Sequence, residues 1–433
     1  MLHLWFLLNS SYQPIMIQSI KIKNLYYIYS YEINFANDEN VLILTGPNGF
    51  GKTTLLQIIN HLCSLKLWFF YLLPFDRIEL RFEEGMVISI NKPNKDSHGH
   101  GDVEFVMTDV MGEIVESGIL ETSLIKHMAR QKLNIFRDFD EEKLDEYLGE
   151  YPEEELNDIF EKNIPRITVF LQTQKCAMIE EQRLIKKKKT RTNAEYTRTV
   201  EEIQKKISEF YTEAQKAYNS ASLRIDGSFV KRLSDRKPTD KQSKKGSINK
   251  EQIYRQVIRK IAEYKKYGLV DNLEVVSDLG VHYNDVLKLY LADLYEKLMS
   301  IESYYNKLST FDSIVSGKHL AYKQLVFKND EMRVLSTDGE HEIDVCRLSS
   351  GEQNLLVLCY NLVFGLDKKD ILLIDEPENS MHMAWLEHML DDYIRIAKIT
   401  GCQIIIATHS PAFIHGKWNL TYDLCEKGKI QES

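Results

Sequence analysis

The chain has 433 residues, 43% of them hydrophobic and 27% charged, with a formal net charge of −9. That length buries a full core and is expected to hold two structural units, one inserted in the other. The acidic balance argues against wholesale wrapping of nucleic acid and leaves room for a local basic patch.

Six cysteines (Cys63, Cys176, Cys346, Cys359, Cys402 and Cys425) are scattered without a C-x-x-C pair. Neither a zinc hook nor a disulfide framework is indicated, and reduced thiols point to a cytoplasmic setting. The segment Met1 to Leu8 is apolar but too short to span a bilayer, and no basic stretch precedes it. Strand patterning begins at Met16, so residues 1–15 are expected to be an extension and Met16 the native start. A short membrane-associating tag is the alternative; otherwise no membrane partner is expected.

Ile17 to Lys23, Tyr27 to Phe35 and Val41 to Thr45 read as strands, with a turn at Asn37 to Asn40. The third strand runs into Gly46-Pro47-Asn48-Gly49-Phe50-Gly51-Lys52-Thr53, which fits the phosphate-loop pattern G-x-x-x-x-G-K-[ST], and Thr54 to Leu62 reads as the helix it opens. Glycines let successive N–H groups turn towards phosphate oxygens, and the helix start adds partial positive charge. Lys52 is placed to reach the β- and γ-phosphates and Thr53 to hold Mg²⁺, with Gly46 through Thr54 as the candidate nucleotide grip. Arg77 to Phe82, Met86 to Ile90 and Val103 to Met107 are expected to form an antiparallel sheet beside this core. His98-Gly-His100 lies in a surface loop and reads as solvated.

From about Glu121 the chain turns helical and acidic, with solvated faces expected over Phe136 to Leu156. Ile167 to Leu171 is apolar and strand-like, followed by Cys176 to Leu184 and a basic run, Lys186 to Arg191. Tyr196 to Ala217 and Leu287 to Leu308 carry heptad spacing, which fits either a two-helix coiled-coil stub or packing within a helical lobe. Ser234 to Gly246 between them is basic and turn-rich. Strands return at Ala321 to Phe327 and Met332 to Leu335.

Leu348-Ser349-Ser350-Gly351-Glu352-Gln353 precedes an apolar helix, and serine and glycine amides at a helix start make a second anion site. Ile371 to Asp375 is an apolar strand ending in adjacent carboxylates. Ligands sit at the carboxyl ends of parallel strands, so Asp375 suits Mg²⁺ and Glu376 the group that polarises an attacking water. Cys402 to Thr408 is another such strand, and it ends at His409, whose imidazole suits the γ-phosphate and the water.

This ordered set resembles the ABC-type ATPase fold of the SMC, RecF and overcoming-lysogenization-defect families. More narrowly, Leu348 to Gln353, Ile374 to His382, Ala407 to Pro411 and Trp418-Asn419-Leu420 resemble a family of stand-alone bacterial ABC-type ATPases, also described as AAA ATPases. Its members include the ATPases of anti-phage systems such as Septu, PARIS and some retrons. The likeness covers residues 16–62 and 345–424, with Gln182-Arg-Leu and Leu223 to Leu233 in the middle region.

The resemblance implies an α/β fold: an ABC-type P-loop head with a mixed sheet and an antiparallel sheet, carrying an inserted helical lobe or short coiled-coil stub. Its halves would be residues 16–120 and 319–433, with the insertion at 121–318. It makes Gln182 the glutamine that senses Mg²⁺, with Gln172 and Gln174 as competitors. Ser349, Ser350, Gly351 and Gln353 become the signature that meets ATP held by a second subunit, which implies a homodimer or larger oligomer. Ser350 in place of the transporter glycine, and Ser380-Met381-His382 after the acidic strand, disfavour a transporter subunit.

Little chain follows His409, so a fused TOPRIM nuclease is not expected, and the implied role is to regulate a separate effector protein, possibly a nuclease, in anti-phage defence. The alternative is a DNA-repair ATPase of the RecF or SMC type. It draws on Lys186 to Arg191 and the basic stretch 231–250, which lack interleaved aromatics.

Overall fold

The computed structural model describes residues 14–35, 37–94, 101–121, 123, 162–179, 193–235, 250–271, 273–277, 283–317, 320, 322–328, 331–380, 383–427 and 429–430. In chain order it forms β1 (Ile17–Leu25), β2 (Tyr29–Asn34), β3 (Val41–Thr45), α1 (Lys52–Cys63), β4 (Arg77–Phe82), β5 (Val87–Asn91), β6 (Val103–Thr108) and β7 (Ile114–Leu120). Then come α2 (Pro165–Thr173), β8 (Cys176–Ile179), α3 (Asn193–Asp235), α4 (Lys250–Lys266), α5 (Asn284–Met299) and α6 (Glu302–Gly317). The last part holds β9 (Lys323–Lys328), β10 (Glu331–Ser336), β11 (Glu342–Ile343), α7 (Ser350–Phe364), β12 (Ile371–Asp375), α8 (Met383–Thr400), β13 (Gln403–Ala407), β14 (Thr421–Asp423) and β15 (Lys429–Ile430). No described helix is long and apolar enough to cross a membrane.

Two compact units result, Met1–Ile185 with Leu366–Ser433, and Lys186–Gly365. The first carries a five-stranded sheet in the order β14-β3-β13-β12-β8 and a seven-stranded sheet in the order β15-β2-β1-β4-β5-β6-β7. Every pairing in the five-stranded sheet is parallel and every pairing in the seven-stranded one antiparallel. The difference is written in the sequence: β3, β12 and β13 are buried throughout and apolar except for one end residue each (Thr45, Asp375 and Gln403), whereas β4 and β6 alternate and bury one side. α1 is buried on most sides, because Leu55, Leu56, Ile58, Ile59 and Leu62 join one core with residues of both sheets. Gln403 ties the sheets further, accepting from Ile17 N at 3.1 Å and donating to Ile17 O at 2.8 Å. The fold class is therefore the expected α/β arrangement of parallel and antiparallel sheets with helical segments.

Three sequence expectations change. Ile167 to Leu171 is helical, not strand-like: Ile167, Phe170 and Leu171 are buried at helical spacing while Val169 faces out. The heptad series Leu287 to Leu308 is split between α5 and α6 at Ser300–Ile301, where the N–H of Ser300 caps the end of α5. A helix that the sequence did not announce, α4, joins α3 and α5. Ala214, Val257, Ile261, Tyr264, Leu294 and Leu298 form one cluster, so the heptads close a multi-helix lobe and not a two-helix stub. The same unit holds a three-stranded antiparallel sheet, β11-β10-β9. The acidic stretch 136–156, the basic run 186–191, residues 236–249 and the His98–His100 pair lie outside the described residues.

Candidate nucleotide site

Parallel register brings three motifs to one edge. Ala407 pairs with both Leu44 and Asp375, so the chain leaves β3, β12 and β13 at the same level. The phosphate loop, Glu376 and His409 emerge together there. A cavity of about 490 Å³ lies over them, lined by Tyr26, Asn48, Lys52, Thr53, Glu376 and His409, among others. That is within the size range of small-molecule sites.

The loop is shaped by its glycines. Gly49 and Gly51 have φ of +90° and +77°, a left-handed backbone that a side chain disfavours, and Gly51 is the N-cap of α1. Tyr31 donates to the carbonyl of Phe50 at 2.7 Å, and the Phe50 ring packs 5.5 Å from Tyr29, so Phe50 anchors the loop from behind. Lys52, 5% exposed, donates to the carbonyls of Gly46 at 2.9 Å and Pro47 at 3.3 Å. The Thr53 hydroxyl donates to Asp375 Oδ1 at 3.1 Å. These two hard oxygen ligands side by side, beside a lysine and a cradle of loop amides, fit a magnesium–nucleotide pair.

Glu376 has φ of +46°, rare for a residue with a side chain, and its N–H still bonds Ala407 O at 2.9 Å. Its carboxylate lies 3.7 Å from Lys52 Nζ and accepts from His409 Nδ1. Burial, then the neighbouring Glu378 carboxylate, raises the Glu376 carboxyl above its ordinary value, and His409 opposes the rise.

Gln182 lies outside the described residues. Gln172 and Gln174 precede β8, at the end of that strand opposite the cavity edge. Gln174 is buried and accepts from Ile15 N at 3.1 Å, a structural task.

The signature belongs to the other unit. Ser349 caps α7 in a capping box: its Oγ accepts from Glu352 N at 3.3 Å, and Glu352 accepts from Ser349 N at 2.9 Å. Lys323 donates to the second Glu352 oxygen at 2.7 Å. Together with the Ser349 bonds it outweighs the effect of burial and holds the Glu352 carboxyl below its ordinary value. Gly351 has open space where a side chain would point. Gln353 turns inward, donating to the carbonyls of Cys346 at 3.1 Å and Leu348 at 3.0 Å, so it shapes the preceding turn.

Two residues went unassigned in the sequence. Tyr26, with φ of +52° and 40% exposed, lines the cavity with its hydroxyl 3.1 Å from Thr54 Oγ1. Glu378 contacts His409 from below the site. No linear pattern marks Tyr26, since the turn after β1 alone brings it over α1. Glu378 was visible as a carboxylate near Asp375 but had no assigned partner.

Among solved structures, the Smc head domain from Pyrococcus furiosus, bound to the C-terminal domain of ScpA, is 13% identical, covers 92% of this chain and 91% of that chain, and gives a TM-score of 0.33. The SMC head domain from Thermotoga maritima is 10% identical with 92% and 91% covered and a TM-score of 0.30. At those scores the fold assignment rests on the strand order above and not on the superpositions. No curated protein gives a significant match. The family profile described as AAA ATPase domain matches residues 16–414. A match across that much of the chain, with the phosphate loop, the acidic end of β12 and His409 inside it, establishes the family: this protein belongs to the AAA ATPase domain family.

Proposed function

We propose that the protein hydrolyses ATP with Mg²⁺ at this site, and that ATP binding joins two copies to regulate a separate effector protein in anti-phage defence. The convergence of Lys52, Thr53, Glu376 and His409 on one cavity, with Asp375 bonded to Thr53, carries the catalytic reading. Thr53 and Asp375 would hold Mg²⁺, which when bound neutralises phosphate charge. Lys52 binds the β- and γ-phosphates. Glu376, with its raised carboxyl, orients and polarises the attacking water, and His409 steadies it beside the γ-phosphate. Gln182 follows β8, the strand next to β12, and is proposed to complete the magnesium sphere. Ser349, Ser350 and Gly351, at the start of α7, are offered to the γ-phosphate of a nucleotide held by a second copy. The defence role, with a nuclease as first candidate for the effector, is supported by the motif resemblance.

Glu376→Gln tests the reading. Turnover is expected to fall by roughly 100-fold or more while ATP is still bound, and the ATP-bound dimer should accumulate in sedimentation. Unchanged turnover would sink the assignment. Co-purification of the product of an adjacent gene supports the defence role. Steep stimulation by duplex DNA, with affinity that falls as salt rises, supports the DNA-repair alternative instead.

A further inference from the structure

Glu378 has no task in the scheme above, yet its carboxylate is bonded by several donors. It sits in the 3₁₀ turn Pro377–Ser380 just beyond β12, and its side chain is 7% exposed. Its Oε1 accepts from three consecutive residues after β13: the Thr408 hydroxyl, His409 N at 3.1 Å and Ser410 N at 3.2 Å. The same oxygen lies 3.3 Å from His409 Nδ1. The other oxygen, Oε2, is buried and has no hydrogen-bond partner among the described residues. Buried polar atoms are nearly always paired, so an orphaned carboxylate oxygen asks for a donor in another state of the site.

Two carboxylates therefore compete for one imidazole nitrogen. Nδ1 bonds Glu376, whose other oxygen faces Lys52 at 3.7 Å. With one oxygen bonded to His409 and the other facing Lys52 in a weaker contact, Glu376 is not free to engage a water. Phosphate in the loop would draw Lys52 away, but His409 also has to leave, and its Nδ1–H then needs a new acceptor. Glu378 is the other carboxylate in reach, within the Glu376, Glu378 and His409 group whose ligand atoms all lie within 4.8 Å of one another.

We propose that Glu378 is a positioning residue: it clamps the Thr408–Ser410 turn and takes over the His409 Nδ1–H when Glu376 turns to the attacking water, which aims Nε2 at the γ-phosphate. The proposal rests on the ATP-hydrolysis reading and adds to it a hand-over between two carboxylates. No bond to substrate is made by Glu378 itself.

The test is a double-mutant cycle on the full chain with ATP and Mg²⁺, comparing wild type, Glu378→Gln, His409→Gln and the double variant, with Glu376→Gln as control. All assays run well below the lowest thermal unfolding midpoint of the set. The glutamine carbonyl still accepts from the turn, so folding and KM should hold within about threefold while kcat falls about tenfold or more. The double variant should fall no further than His409→Gln alone, because the two residues act as one unit. Wild-type kcat in Glu378→Gln, or losses that multiply in the double variant, would overturn the hand-over. A loss confined to KM would overturn it as well. If wild type does not hydrolyse ATP, or Glu376→Gln matches it, the ATPase reading falls and takes this proposal with it. With both controls as expected, multiplying losses remove the role of Glu378 alone.

Discussion

Lys52 is nearly buried, and its ammonium is bonded by two carbonyls of its own loop. Those carbonyls are weak substitutes for phosphate oxygens, so the lysine is held ready without a strong partner to abandon. Its contact with Glu376, at 3.7 Å, is long for a charge-assisted bond. Lys52→Ala is expected to weaken ATP binding about 10- to 100-fold, the worth of a charge-assisted contact to phosphate. Titration with a fluorescent ATP analogue checks this, and affinity equal to wild type would remove Lys52 from the site. The candidate site residues were legible for a simple reason: each lies at the end of an apolar strand, one or two positions past it, or in a glycine-marked loop. Glu378 was not, because its significance comes from donors that sit after a different strand.

At the level of elements, the helical lobe is held by more than its apolar seam. Lys260 of α4, itself buried, and Tyr264 one turn on both donate to Glu302 at the start of α6. Burial alone would raise the Glu302 carboxyl, but the Lys260 and Tyr264 bonds outweigh it and hold the carboxyl below its ordinary value of 4.5. The folded carboxyl thus titrates below the unfolded one. Its contribution to stability is complete above the ordinary value and is lost as pH falls through the folded one. Glu302→Gln leaves Lys260 buried without a counter-charge and should cost about 2–3 kcal/mol at neutral pH, less than for a fully buried pair because Glu302 is partly exposed. Denaturant unfolding should show the gap between variant and wild type shrinking as pH drops below 4.5. A gap independent of pH would contradict the ion-pair account. The heptad spacing in α3 and α5 identified the buried faces correctly, but it could not say how many helices would share them. That number depended on α4, whose apolar residues Ile253, Val257 and Ile261 are interleaved with lysines and arginines.

For the whole molecule, the decisive question is whether the signature serves its own nucleotide or that of a second copy. The phosphate loop, Asp375, Glu376 and His409 belong to one compact unit, and Ser349 belongs to the other. If sites are shared between copies, Lys52→Ala and Ser349→Arg chains, each inactive alone, should regain activity when mixed. A mixed dimer keeps one site with an intact loop facing an intact signature. Recovery should reach roughly a quarter of the wild-type rate, from half the dimers being mixed and one site in two being intact. Rates that stay at background across all mixing ratios would argue against composite sites.

The sequence by itself determined the parallel core, the phosphate loop and the identity of the acidic and imidazole groups at its edge. Parallel strands buried on both faces are near-continuous apolar runs, and a backbone that wraps phosphate needs glycine where φ is positive, so both leave linear traces. Only the tertiary structure decided that Gln353 faces inward, that Gln174 pins the chain near Ile15, and that Glu378 stands behind His409. Those assignments depend on which donors and carbonyls arrive from elements far away in the chain, and a hydrogen bond across such a distance carries no periodicity to read.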